Sequence, residues 1–298
     1  MQRRTLARSV LHASSRRRAG CSPAAAALAT ALSALAAAPV ARADGAQAAA
    51  GAHDQDDGPP PVGTALFVVG VDLEIAGRAL SYSDLLSENL RTYEALGVPM
   101  PCVWGELFPL ARSALPVLRD LGLSLSYARA LGLDSEGAGG ARASTSWNRL
   151  HAGLRGRYRL GGQAGPVVFG TFGLAWTGFA IEPTGDPSRD AASVSYVSLR
   201  LALDGRLPLG PVALEAGGGY QAPLSTGRLA SYFREPSAHG VDLRLALAVP
   251  FAPRTEARAG ASYTRFFYDF DSEPGDLHVA GGALDQLFGV HLGVSHAY

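Results

Sequence analysis

The chain has 298 residues, only 17% of them charged, and its 26 basic side chains are all Arg, which excludes lysine-dependent chemistry such as a Schiff base. The formal charge of zero hides an asymmetry, because the first 43 residues hold seven Arg and no acid; without them the chain is acidic, at about −7. That balance argues against nucleic acid as a partner.

Residues 1–43 read as an export signal. Arg3, Arg4, Arg8 and Arg16 to Arg18 form a basic n-region, Ala24 to Ala38 an Ala-rich apolar h-region, and Ala41-Arg42-Ala43 supplies small residues at −3 and −1. Cys21 does not fit a lipoprotein signal, since Arg18 stands where an aliphatic residue is needed and no apolar stretch precedes it. Cleavage after Ala43 leaves Cys102 as the one cysteine, so no internal disulfide is expected. Residues 44–62 are small, acidic and Pro-rich, and predict a disordered periplasmic tether. His53, Asp54, Asp56 and Asp57 within it are read as a solvated tail. No segment after the signal is apolar over the roughly 20 residues that a spanning helix needs.

From residue 63 onward the dominant signal is alternation, the period of a strand. Phe67, Val69, Val71, Leu73 and Ile75 alternate with Val68, Gly70, Asp72 and Glu74. A helical spacing of Leu86, Leu90 and Tyr93 predicts a short helix between Ser83 and Gly97, and the second strand is predicted over Val103–Arg112. The third strand sets Leu121, Leu123, Leu125 and Tyr127 against small residues; the fourth sets Leu150, Leu154 and Tyr158 against Arg149, His151, Arg155, Arg157 and Arg159. Val167 to Thr177 is apolar on both parities. Val197, Leu199, Leu201 and Leu203 then alternate with Ser198, Arg200, Ala202 and Asp204. Further strands follow at Val212–Tyr220, Val241–Phe251 and Thr255–Phe270. In the last strand, Leu287 to Tyr298, the residues Phe288, Val290, Leu292, Val294, His296 and Tyr298 share one face, and Gly, His, Ser and Ala the other.

That makes ten strands, with eight or twelve if one hairpin is misread. Short linkers follow the even-numbered strands, around Ala114–Leu118, Gly161–Gly165, Pro208–Gly210 and Ala252–Arg254. Long linkers follow the odd-numbered ones: Gly77–Cys102, Asp134–Ser146, Gly178–Ala192, Ala222–Ala238 and Asp271–Ala283. Alternating short turns and long loops are what a transmembrane barrel shows. The terminal strand, with its outward hydrophobics Phe288, Val290, Leu292 and Val294 and its terminal aromatic Tyr298, resembles the barrel-closing strand of small bacterial outer-membrane β-barrel proteins. The resemblance covers roughly residues 64–298, within the barrel domain 63–298, with Tyr instead of Phe at the end and His296 at an outward position. It implies a closed up-and-down antiparallel transmembrane β-barrel, all-β, in an outer membrane. The tether and C-terminus are then periplasmic and the long loops extracellular. Outer-membrane lipid is the permanent partner, and the barrel assembly machinery and periplasmic chaperones are transient ones.

A soluble periplasmic β-sandwich or lipocalin-like binding protein would also alternate, but its outer face would carry long polar side chains. Here the second face is Gly, Ala and Ser with sparse charges, which suits the inside of a narrow barrel. Tyr158, Trp176, Tyr220, Phe251, Phe267 and Tyr298 then fit interfacial girdles. The inward charges Arg200, Asp204, Arg206, Glu215, Asp242 and Arg244 predict one buried network that fills the lumen, with Asp204 opposite Glu215 across the Pro208–Gly210 turn, and Glu215 close to Arg244. The inward Arg side chains of the fourth strand are read as plugging the lumen instead of passing anions. The predicted role is structural, surface-binding or narrow solute passage, and non-enzymatic. The alternative is a barrel-embedded surface hydrolase, protease-like or lipid A hydrolase-like, with His239 and Asp242 or His151 as acid/base groups. The His residues lack metal-ligand spacing and no Gly-rich phosphate loop joins a strand to a helix, so no cofactor is expected.

Overall fold

The computed structural model describes residues 63–84, 86, 90–136, 142–161, 165–182, 192–233, 236–273 and 275–298. The predicted signal and tether, residues 1–62, lie outside the described residues. Eleven strands run in chain order: β1 Phe67–Ser83, β2 Tyr93–Leu107, β3 Leu121–Arg129, β4 Asp134–Glu136, β5 Arg142–Arg159, β6 Val167–Ile181, β7 Val194–Leu209, β8 Val212–Ser225, β9 Ser237–Ala252, β10 Thr255–Asp269 and β11 Gly282–Ala297. Two four-residue helices, α1 Pro116–Arg119 and α2 Leu229–Tyr232, lie in connections. Ten strands pair antiparallel with their sequence neighbours, β4 being a short flap on the start of β5. β3 pairs with β5 and β1 with β11, so the ring closes. No described helix is long and apolar enough to cross a membrane.

Closure gives each of the ten ring strands a partner on both sides, the condition for strands in hydrocarbon. At the seam the Leu66 and Phe67 N–H groups donate to the Tyr298 carbonyl, and the Tyr298 N–H donates back to Phe67 O at 2.9 Å. The Phe67 and Tyr298 rings stack at 5.2 Å, with the Arg254 guanidinium 5.1 Å from the Tyr298 centroid.

The alternation sorts the two faces as expected from its parity. Leu203 and Val294 are 63% and 47% exposed, while their neighbours Ala202 and Ser295 are 4% and 5% exposed. Val69, Val71, Leu73, Leu154, Leu201, Leu243 and Leu245 also point outward. Tyr158, Tyr220, Phe251, Phe267 and Tyr298 join them among the exposed residues. An apolar belt of this extent outside and charged groups inside fit a wall facing lipid and do not fit a soluble sandwich. β6, apolar on both parities, obeys the same rule: Phe169 and Phe179 are buried inside and Phe172 is exposed outside.

Several sequence-based boundaries are corrected. The short helix expected between Ser83 and Gly97 does not form at either end. Ser83 closes β1 and Tyr93 opens β2, facing Leu80. Leu90 and Tyr93 share a spacing because both enter the lumen, one from the loop and one from the strand. Leu86 is exposed, and residues 85 and 87–89 lie outside the described residues. The second strand begins ten residues before the predicted Val103 and ends at Leu107 instead of Arg112. Gly97 hid its start, because it adopts φ +72° at a bulge where the β1–β2 register shifts between Ala76 and Arg78. Pro99 and Pro101 also interrupt the apolar pattern.

The predicted long linkers contract likewise because the strands continue above the apolar belt, where backbone pairing persists after the alternation of apolar residues has ended. The linker placed around Ala114–Leu118 is part of a longer connection, Phe108 to Asp120, that holds α1. The β7–β8 turn falls at Gly210 and Pro211, later than the predicted Pro208–Gly210, with Gly210 at φ +67°.

Candidate functional site

The lumen is layered. On the side of the long connections, inward residues of β1, β2, β5, β6, β7, β10 and β11 form an apolar cluster that includes Leu80, Met100, Trp147, Phe179, Tyr196, Phe266 and Leu287, none more than 2% exposed. Leu90, Leu229 and Phe233 descend into it from the loops. Tyr196 stacks on Phe266 at 3.9 Å, Phe233 on Phe270 at 3.7 Å, and Trp147 meets Phe179 edge-on at 5.8 Å. One ion pair lies inside this cluster. Arg78 Nε and Nη2 donate to Asp285 Oδ1 and Oδ2 at 2.9 and 2.8 Å, and Nη1 donates to Ala192 O at 2.7 Å. The Tyr196 hydroxyl donates to Asp285 Oδ2 at 2.6 Å, and the guanidinium covers the Phe179 ring at 4.2 Å.

Below the cluster runs a belt of alternating charge. Arg200 grips Asp242 with two bonds, at 2.9 and 2.5 Å, and Gln221 adds a third to the same carboxylate. Asp204 accepts from Arg155 at 2.9 Å and from Arg244 Nε at 2.6 Å, while Arg155 also pairs with Glu106 at 3.1 Å and bonds Thr171. Arg206 bridges Glu215 and Glu256, both at 2.5 Å, and Glu215 also accepts from Arg258. Glu74 accepts from Arg149, and Asp72 accepts from Trp104 Nε1 at 2.9 Å. Buried charges remain stable only with such partners, and bidentate guanidinium contacts are the strongest kind.

The predicted network members Arg200, Asp204, Arg206, Glu215, Asp242 and Arg244 all face this belt, but one predicted pairing is corrected. Glu215 lies opposite Arg206, not Asp204, because the turn is centred one residue later, which shifts the pairing by two. Glu215 lies opposite Ala246 and diagonal to Arg244, close to it as expected, but it bonds Arg206 and Arg258 while Arg244 bonds Asp204. Arg149, Arg155 and Arg157 of β5 are each bonded to a carboxylate, and Arg159 comes within 3.8 Å of Asp120.

Several partners were not anticipated: Asp72, Glu74, Arg78, Glu106, Glu256, Arg258 and Asp285. A signal for four carboxylates was present in the glycines. Asp204 leans across Gly217, Asp242 across Gly219, Glu74 across Gly289 and Asp72 across Gly293, where any Cβ would collide with the carboxylate. The small face therefore leaves room for charge from the neighbouring strand.

The acid/base candidates do not assemble. His239 faces outward and shares a 2.8 Å bond with the Tyr220 hydroxyl, while Asp242 faces the lumen in the grip of Arg200. His151 faces the lumen on β5, beside the same Arg200–Asp242 pair. Among the described residues no group of His, Cys, Asp and Glu has the geometry to hold a metal ion. The outward residues of the last strand, Phe288, Val290, Leu292, Val294 and Tyr298, line the outer wall where β11 joins β10 and β1. A cavity of about 270 Å³ remains in the charged belt, lined among others by Asp72, Glu74, Cys102, Trp104, Arg244 and His291.

No protein-family model matches the chain, and no curated protein matches it. Solved structures resemble it in shape. The outer membrane protease OmpT from Escherichia coli is 9% identical, covers 78% of this chain and 96% of its own, and superposes with a TM-score of 0.45. The translocator domain of the autotransporter NalP from Neisseria meningitidis is 15% identical, with 78% and 88% coverage and a TM-score of 0.37. Neisserial surface protein A is 11% identical, with 78% and 97% coverage and a TM-score of 0.35.

Proposed function

We propose that the chain is a bacterial outer-membrane barrel with a closed lumen, non-enzymatic, whose role is to hold its longer loops at the cell surface. The observation that carries this reading is the apolar cluster around Trp147, Phe179, Tyr196 and Phe266, which fills the barrel on the long-loop side. A charged belt alone would be compatible with a polar pathway. A belt whose arginines are neutralised by carboxylates, covered by buried aromatic rings, favours closure. In this reading residues 1–43 are the export signal and 44–62 the periplasmic tether, the short turns face the periplasm and the longer loops face outward. The barrel assembly machinery and periplasmic chaperones act only during biogenesis, and outer-membrane lipid is the lasting partner. The test is planar-bilayer recording of the purified protein, with protease shaving of intact cells to locate the loops. Little or no steady conductance is expected, together with cleavage in the longer loops. Large, stable channels would refute the closed lumen.

A further inference from the structure

The other end of the barrel is closed differently. Gly63 to Leu66, which lead into β1, cross the mouth on the short-turn side. Gly63 lies against Val167 and Arg159 of the β5–β6 wall, whereas Leu66 is bonded through its N–H to Tyr298 O at the seam. Between them Ala65 is 1% exposed and packs with Val68, Ala297 and Trp104. Its carbonyl accepts from Arg157 Nη1 at 2.7 Å, and the same guanidinium bonds Asp120 at 3.0 Å and lies over the Phe108 ring at 4.0 Å. Phe108, fully buried beside Val167 and Phe169, donates its N–H to Leu66 O at 2.7 Å. Beyond this strap lies the charged cavity, whose volume and ionic side chains suffice to hold water.

The two closures differ in strength. The upper one interlocks Trp147, Phe179, Tyr196 and Phe266 with side chains from several strands and loops. The strap contributes Ala65 as its buried side chain and is held by a few hydrogen bonds. Segments with little buried apolar surface open at lower free energy than the core around them. The strap is also the first part of the barrel to follow residue 62, so any pull on the preceding residues acts on it directly.

We infer that Gly63–Leu66 is a latch. The lower lumen is a blind, hydrated vestibule that opens to the short-turn side when the strap lifts, while the aromatic closure above it stays shut. This goes beyond the closed-lumen reading and rests on it, but the two fail separately: conductance tests the upper closure, and access to the vestibule tests the strap.

Cys102 lines the cavity and serves as the reporter. In the full chain with Cys21→Ser, it is the one thiol, and its labelling by a small cationic methanethiosulfonate is followed in detergent and compared with the urea-unfolded chain. Slow labelling of the parent is expected. Ala65→Glu, too large and too polar for its place beside Val68 and Ala297, should speed labelling about tenfold or more by lowering the opening cost. Phe108→Leu, a milder change that keeps the mouth apolar, should speed it by a smaller factor. Phe266→Ala, in the upper cluster, should leave the rate at the parent value. Heat-modifiable gel mobility establishes that each variant is folded. The latch is overturned if the folded parent labels as fast as the unfolded chain. It is equally overturned if Phe108→Leu matches the parent, or if Phe266→Ala opens the site as much as the strap variants do.

Discussion

Asp285→Asn removes one charge from the most deeply buried ion pair in the barrel. Arg78 and Asp285 are both fully inaccessible, and the pair is joined by two guanidinium–carboxylate bonds inside an aromatic enclosure. The substitution keeps the side-chain shape and an oxygen that accepts hydrogen bonds, but leaves the Arg78 charge without a counter-ion. Removing one partner of such a pair costs about 3–5 kcal/mol, and the retained amide oxygen places this case near 3 kcal/mol. Replacing both partners with apolar residues removes the uncompensated charge, so Arg78→Met with Asp285→Leu should recover part of the loss. What remains is about 1 kcal/mol for each of the two hydrogen bonds given up, the one from the Tyr196 hydroxyl and the one that Arg78 Nη1 makes to Ala192 O. The assay is reversible urea unfolding in lipid vesicles, followed by tryptophan fluorescence and by heat-modifiable mobility, with the single and double variants forming a cycle. If Asp285→Asn is as stable as the parent, or if the double variant is less stable than the single one, the pair does not stabilise the upper closure in this way.

Three further outcomes are expected. Leu245→Arg should lose about 2–4 kcal/mol in the same unfolding assay, because it puts a charge on the lipid face, whereas Ala246→Ser, one residue away and facing the lumen, should be mild; equal tolerance would mean the faces are inverted. Deleting Val294–Tyr298 removes the carbonyl that accepts from Leu66 and Phe67 and the ring stacked on Phe67, so heat-modifiable protein in outer-membrane fractions should vanish, whereas Tyr298→Phe keeps the stack and should assemble normally. In the β10–β11 loop, His278 is buried against Tyr232 and Phe233, and burial holds its pKa below the usual histidine value. The unfolded chain therefore takes up the proton first: this contribution is present above the ordinary histidine pKa and is lost as pH falls through the depressed one. His278→Gln should flatten that part of the stability–pH curve, and an unchanged acid limb would remove His278 from the account.

Local order was legible from the residues alone. In β7 and β9, Leu201, Leu203, Leu243 and Leu245 repeat every second residue, and a strand's geometry sends alternate side chains to opposite faces. That period sorted the side chains into two faces and put the terminal aromatic on the apolar one, and the Gly, Ala and Ser of the other face assigned the apolar side to lipid and the small side to the lumen. Alternation carries no information about register, however, and register chooses partners. A turn displaced by one residue, which shifts the pairing by two, was enough to give Glu215 to Arg206 and leave Asp204 to Arg155 and Arg244. Residues above the lipid belt lose the pattern altogether, which is why β2 was begun too late and why Tyr93 and Leu90 suggested a helix. The longest-range pairings follow from ring closure. Arg78 and Asp285 stand 207 positions apart and meet because β1 pairs with β11, and the Ala65 carbonyl reaches Arg157 because the entering chain crosses the mouth. Each residue type was fixed by its own face of its own strand; the partner opposite it was decided only when ten strands closed into a ring.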